Sequence, residues 1–271
     1  MIRAERQARI LQLIRERGFI ENDELARLLG VTPTTIRRDL KALSAQNLIK
    51  LDHGGSADAD YLGTFVEPLY ETKFYLHQAQ KQAIGAAAAA LVQDHETVFL
   101  DSGTTNVQIA RHLRRSPARN VTVITPDIRT ASELCSAQNV TVLVLGGVLR
   151  KAYYSLYGHY AEGMLRTLKP NRMFLGADAV SLRFGVSNSV VEEVPLKQLA
   201  MALSNETVLV ADFSKFGAEA TYHVCGWDAV QQVISDNNLP EAYRVFLAER
   251  GIRLTLADTP AESEPHTSAD S

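Results

Sequence analysis

The 271-residue sequence predicts an α/β protein in two parts: a small helix-rich module at the N-terminus and a larger domain of buried strands alternating with helices. Three observations carry the prediction. Residues 1–57 contain amphipathic helix patterns separated by glycine-containing turns. From residue 97 onward, β-branched runs alternate with helical patterns, the signature of a largely parallel sheet covered by helices. Charge divides the same way. Residues 1–57 hold ten Lys and Arg against seven Asp and Glu, while the remaining 214 hold eighteen against twenty-four.

The first helix places Ile10, Leu13 and Ile14 on one side and ends at Gly18. In "ENDELARLLGV", Asn22 is the expected cap, Asp23 and Glu24 suit the positive helix start, and Leu25, Leu28 and Leu29 supply the buried side. Gly30 leads to "TPTTIRRDLKAL", where Thr32 caps and Pro33 takes the first helical position. Ile36, Leu40 and Leu43 form its apolar stripe, and Thr34, Arg37, Arg38 and Lys41 share a different face. Leu48, Ile49 and Leu51 then flank a Gly54–Gly55 turn, a short hairpin. Helix, glycine turn, capped helix and hairpin make a winged helix-turn-helix. Such a module inserts the first half of its second helix into the major groove of double-stranded DNA. Thr32, Thr34, Thr35, Arg37, Arg38 and Lys41 are the expected contacts there, with Lys50 and His53 reaching the backbone from the wing. A local basic excess on an otherwise acidic chain fits a protein that meets phosphates at one end only.

Residues 58–74 show no sustained period and read as a linker. The second domain spans 75–258, opening with an alanine-rich helix over about 75–92, too weakly apolar to span a bilayer. Strands are expected at 97–100, 121–125, 140–147, 172–178, 207–212, 231–236 and 252–258, with helices at 105–115, 128–137, 158–168 and 194–204. The polar segment 259–271 is expected to be disordered. Cys135 and Cys225 stand alone, ninety residues apart, and read as structural thiols of a reducing cytoplasm. No secretory pattern, metal site or cofactor motif is read.

Open α/β sheets bind ligands at the carboxyl ends of their strands. "TVFLDSGTT" ends a strand in Asp101 and runs through Ser102, Gly103, Thr104 and Thr105 into a helix, an expected anion cradle. It is neither a Walker loop nor the dinucleotide glycine fingerprint. Gly146 and Gly147 end a second strand, Asp178 lies at the mouth of a third, and Asp212 and Lys215 follow a fourth. Glu193 and Lys197 stand at i, i+4, a spacing that also makes an ordinary surface ion pair. Carboxylates, hydroxyls, glycines and lysines at strand ends suit a polyol phosphate or a phosphorylated sugar acid.

With "ELARLLGVTPTTIRRDLKAL", "HGG", "DSGTT", "LGG", "LGAD" and "ADFSKFG" in this order, the chain resembles the DeoR family of bacterial transcriptional regulators over nearly its whole length except the tail. The resemblance implies a sensor domain similar to ribose-5-phosphate isomerase that binds a phosphorylated sugar intermediate. It carries ligand contact over to Asp101, Ser102, Gly103, Thr104, Thr105, Gly146, Gly147, Lys197, Asp212 and Lys215, and places a lysine of unassigned role at Lys81. Pro126-Asp127 stand where the family often has Asn. The expected function is a cytoplasmic repressor of a carbohydrate-utilisation operon, released by a phosphorylated sugar or sugar acid. A homo-oligomer, dimer or tetramer, is expected because one module reads too few bases. Two alternatives stay open: an isomerase-like enzyme using Asp, Glu and Lys for proton transfer, and an activator.

Overall fold

The computed structural model describes residues 1–52, 54–58 and 67–259. The expected wing contact His53, residues 59–66 of the linker and nearly all of the polar tail lie outside the described residues.

The N-terminal module contains α1 (Arg3–Arg17), β1 (Phe19–Glu21), α2 (Asn22–Leu29), α3 (Pro33–Ser44), β2 (Ile49–Asp52) and β3 (Gly55–Asp58). The sequence reading lacked β1, a three-residue strand that joins the wing in the order β1-β3-β2. Asn22 does not cap α2. It is the first helical residue, and its N–H donates to the Gly54 carbonyl of the wing turn at 2.9 Å. Ile10, Ile14, Leu25, Ile36, Leu40 and Leu43 form one buried cluster. Leu28, expected inside, is 47% exposed, because Leu25 and Leu29 at i, i+4 already occupy the inward face.

The large domain follows with α4 (Tyr70–Tyr75) and α5 (Gln78–Ala89). The single helix expected over 75–92 is therefore broken and shifted. His77 sits in the left-handed region at φ 49°, and Lys81 turns back to donate to the carbonyls of Lys73, at 2.9 Å, and Leu76. Those carbonyls end α4, so the Lys81 ammonium closes that helix in place of a continuing backbone. Leu76 is buried in the N-terminal module's core, and Tyr75 packs against it. Thus α4, in the stretch read as a linker, joins one part of the molecule to the other.

Seven parallel strands then make the central sheet: β4 (Thr97–Leu100), β5 (Val121–Thr125), β6 (Val140–Val144), β9 (Arg172–Leu175), β12 (Glu206–Val210), β14 (Gln232–Asp236) and β15 (Arg253–Ala257). All seven expected strands form. Alternate residues point to opposite faces, and both faces are covered. Phe99, Met173, Leu175 and Leu209 join one core; Val98, Leu100, Phe174, Val208 and Val210 join the other. The helices are α6 (Thr104–Leu113), α7 (Ile128–Leu134), α8 (His159–Leu165), α9 (Val194–Leu203) and α10 (Glu241–Glu249). A β-carbon at Gly85 of α5 would come within 2.6 Å of Gln108 of α6, so these helices touch backbone to side chain with no room to spare.

Two small sheets were not foreseen. One is a hairpin, β7 (Val148–Arg150) with β8 (Ser155–Tyr157); the other joins β10 (Ala179–Ser181), β11 (Gly185–Asn188) and β13 (Tyr222–Cys225). The sheet order is β15-β14-β12-β9-β4-β5-β6. The chain leaves β4 in one direction through β5 and β6, then restarts on the other side at β9. The switch point lies between β4 and β9, where a crevice is expected at the carboxyl ends.

Candidate functional site

On α3, the Thr32 hydroxyl accepts the Thr35 N–H at 3.3 Å and lies 3.0 Å from the Thr35 hydroxyl. Thr32, Thr34, Arg37, Arg38 and Lys41 are exposed, as is Lys50 on β2, while Thr35 is half-buried. The opposite face carries a feature the sequence reading missed. Asp39 is fully buried and accepts from Arg6 Nε at 2.5 Å, with Arg3 at 3.5 Å. This pair fixes α3 against α1, so the exposed arginines sit on a rigid support.

At the switch point, Asp101 ties the two strand ends together. Its Oδ1 accepts the Ser102 N–H at 2.9 Å; its Oδ2 accepts the Gly176 N–H at 3.0 Å and the Lys197 ammonium. Gly103 then turns at φ +127°, a conformation that favours glycine. Its N–H donates to Asp127 at 3.0 Å, and no side chain caps α6. The first-turn N–H groups of a helix have no intrahelical partner, so the Thr104–Asn106 turn presents donors at its positive end.

Those residues form one wall of a cavity enclosing about 590 Å³ of atom-free space, part of it open to solvent. Its other walls come from Tyr70 and Lys73 of α4, Arg150 and Ser155 of the hairpin, Glu193 and Lys197 at and within the start of α9, and Asp178, Asn188 and Lys215 at or just beyond strand ends. Two buried groups lining the cavity are unsatisfied. Neither side-chain atom of Asn106 has a hydrogen-bond partner, and the Tyr70 hydroxyl also lacks one. Leaving such groups unpaired costs about 1–3 kcal/mol each. A ligand with hydroxyls would pair them.

The charges are interlocked. Lys73 contacts Glu67 at 2.6 Å and Asp178 at 3.2 Å. Burial alone would depress its pKa, but these carboxylates more than offset that and hold it above the ordinary lysine value. Glu193 accepts from Ser155 at 2.6 Å, Arg150 at 3.2 Å and Asn188 at 3.2 Å. Burial pushes the Asp101 carboxyl up, and Lys197 with the Gly176 N–H pulls it back. Asp101 and Glu193 in turn keep Lys197 protonated despite its burial. Lys81 lies 3.8 Å from Asp212, yet burial lowers its pKa to about 8. Asp127, beneath the α6 turn, is pushed by burial to about 6.

Of the ligand contacts expected from sequence, Ser102, Gly103, Thr104, Thr105, Asp178, Lys197 and Lys215 line the cavity. Asp101 and Asp212 lie just behind it, 2% and 0% exposed, holding Lys197 and Lys81. Gly146 and Gly147 are absent from the lining. A β-carbon on Gly147 would meet the Tyr157 carbonyl oxygen at 2.5 Å, so the close approach that glycine permits there is to the β8 backbone. Glu193 and Lys197 do not make a surface pair; both are buried, with different partners. Missing from the sequence reading were Glu67, Tyr70, Lys73, Arg150, Asn106 and Asn188. The run "LRKAYYS", basic and aromatic after two glycines, was the available signal for Arg150.

Comparison with known proteins decides the family. The DeoR-like helix-turn-helix domain matches residues 6–60, and the DeoR C-terminal sensor domain matches residues 76–237. The chain belongs to the DeoR family of transcriptional regulators. Among DeoR-type relatives, the regulator YgbI of Escherichia coli K12 is 34% identical over 257 residues, covering 95% of this chain and 99% of its own. IolR of Bacillus subtilis is 28% identical over 246 residues, covering 91% and 96%. A ribose 5-phosphate isomerase A from Neisseria gonorrhoeae overlaps 56% of each chain at 15% identity with a TM-score of 0.39, a distant likeness that carries no functional weight. The family assignment makes this chain a regulator and not an isomerase. No helix among the described residues is long and apolar enough to cross a membrane.

Proposed function

We propose that the protein is a cytoplasmic, homo-oligomeric repressor of carbohydrate-utilisation genes, released from its operator when a phosphorylated sugar or sugar acid fills the switch-point cavity. The observation that carries the reading is the pairing of two unlike surfaces in one cavity. Uncapped donors at the start of α6 suit a phosphate, and the unpaired Asn106 and Tyr70 groups beside Asp178, Asn188 and Glu193 suit hydroxyls. Lys197 supplies positive charge to the anion, and Asp101 holds it in place. In the head, Thr34, Arg37, Arg38 and Lys41 are the major-groove set, and Lys50 meets the backbone beside it. An Escherichia coli O157:H7 relative, 32% identical over 253 residues and 93% of each chain, is provisionally named an aga operon transcriptional repressor. That name supports the sign of regulation proposed.

The experiment is a thermal-shift panel of pentose and hexose phosphates and phosphorylated sugar acids, each beside its dephosphorylated counterpart. At least one phosphorylated compound is expected to raise the melting temperature, by about 2.7 kcal/mol of stabilisation at a hundred times its Kd. Its dephosphorylated counterpart should do far less. Equal shifts from both would show that no phosphate is read at α6.

A further inference from the structure

The central sheet ends at β6, which pairs with β5 alone among the described residues. The Leu145 N–H donates to the Thr125 carbonyl at 3.0 Å, and the Asn139 carbonyl accepts the Val121 N–H at 3.2 Å. The N–H and C=O of one strand residue point to the same neighbour, and successive residues alternate between neighbours. Asn139, Thr141, Leu143 and Leu145 therefore face β5. Val140, Val142 and Val144 aim three N–H and three C=O groups at the open edge.

Sheet edges are ordinarily guarded by charge, proline or a bulge. The opposite edge of this sheet follows that rule, since β15 carries Arg253, ion-paired to Glu206. Nothing of the kind guards β6. No charged residue and no proline occurs from 134 to 149, and the register with β5 runs unbroken over five residues. Val144, at the end of β6, and Val148 and Leu149, just after it, are exposed.

The open row is also symmetric about Val142. In an antiparallel alignment centred there, Val140 lies opposite Val144 of a second copy, and Val142 lies opposite its own counterpart. All three are hydrogen-bonded pairs, each exchanging two bonds, so every outward group of both strands is satisfied. Val140 and Val142 pack against the core that holds Val98, Leu100 and Phe174. Valine then meets valine across the join, a favourable β-branched cross-strand pair that continues this apolar layer. A foreign strand would have to match that row, whereas a second copy matches it by symmetry.

We propose that two copies of the chain join through their β6 edges, antiparallel and centred on Val142, to make one continuous sheet. This rests on the homo-oligomer reading above and names the surface that serves it. The contact is isologous and closes on itself. It supplies the two-fold relation that reading two half-sites requires.

The test uses sedimentation equilibrium of the full-length chain over a concentration series, with residue-resolved hydrogen exchange on the concentrated and the diluted protein. The parent is expected to reach at least twice the mass of one chain. The Val140, Val142 and Val144 amides should be protected when concentrated and should exchange faster on dilution. Those of Thr141 and Leu143 should stay protected in both, because they bond to β5. Proline is tolerated where a strand N–H faces outward from an edge. Val142→Pro should raise the dissociation constant of the association at least about tenfold, since each copy loses a donor and gains a ring at the contact. Val144→Lys, at an exposed side chain, should weaken it in the same direction. Association unchanged in both variants, with the Val142 amide exchanging freely in the parent, overturns β6 pairing and leaves the homo-oligomer reading intact. A parent that is monomeric at every concentration overturns both. Should Val142→Pro fail to fold, Val144→Lys and the parent's amide exchange decide: unprotected Val140, Val142 and Val144 amides in the associated parent overturn the proposal, and concentration-dependent protection lost in Val144→Lys supports it.

Discussion

Asp101→Ala is expected to destabilise the sensor domain by about 3–5 kcal/mol, because it leaves the Lys197 ammonium buried without its partner. At roughly 2–4 °C per kcal/mol for a domain of this size, the loss is readily seen by calorimetry. Asp101 also joins β4 to β9 through the Gly176 N–H, so the alanine loosens the switch point itself and ligand response disappears with it. The sequence alone suggests that this variant is a clean test of ligand contact; the burial of Asp101 shows that it is a stability variant as well. Lys197→Met and Asp101→Asn separate the effects. Each should be less damaging than the alanine, since the methionine fills the lysine's volume and the asparagine keeps an acceptor. The double variant should lose less than the two singles added together, as expected for groups in direct contact. Additive losses would show that the Asp101–Lys197 contact carries no coupling.

The second large effect lies in the head. Arg37→Ala and Arg38→Ala should each weaken operator binding by about 1–3 kcal/mol where the side chain reads a base. An arginine that meets only phosphate should weaken all sequences alike and reduce the salt slope by about one. Both side chains are exposed on α3, so folding stability should change by no more than about 0.5 kcal/mol. This is measured by titrating labelled operator and a scrambled duplex at several salt concentrations, with melting curves alongside. Unchanged operator affinity in both variants would remove α3 as the recognition helix.

What the sequence reveals depends on how local the physics is. The sheet strands are legible because each is a short, largely apolar run, most of them rich in β-branched residues, and the inner ones are buried on both faces. The capped α3 is legible because Thr32 and Pro33 act within one turn of the chain. The DSGTT turn is legible for the same reason. Arg150 and Ser155 were missed because they come from a hairpin of three-residue strands, too short to show a period. Glu67, Tyr70 and Lys73 were missed because they lie in or beside a six-residue helix held by the side chain of Lys81. Lys81 itself had no derivable role because its partners, the carbonyls ending α4 and Asp212, are set by tertiary structure. The Arg6–Asp39 pair joins residues 33 positions apart in sequence and carries no local signature.

The central claim is that occupancy of the switch-point cavity controls grip on DNA. Its most direct test is a titration of labelled operator, at fixed ionic strength, with and without the compound that gives the largest thermal shift. The account predicts that the phosphorylated compound weakens operator binding by at least about fivefold, within the usual range of allosteric coupling, and that Lys197→Met abolishes the response. An operator Kd unmoved by saturating ligand, or a parent-like response in Lys197→Met, would contradict it.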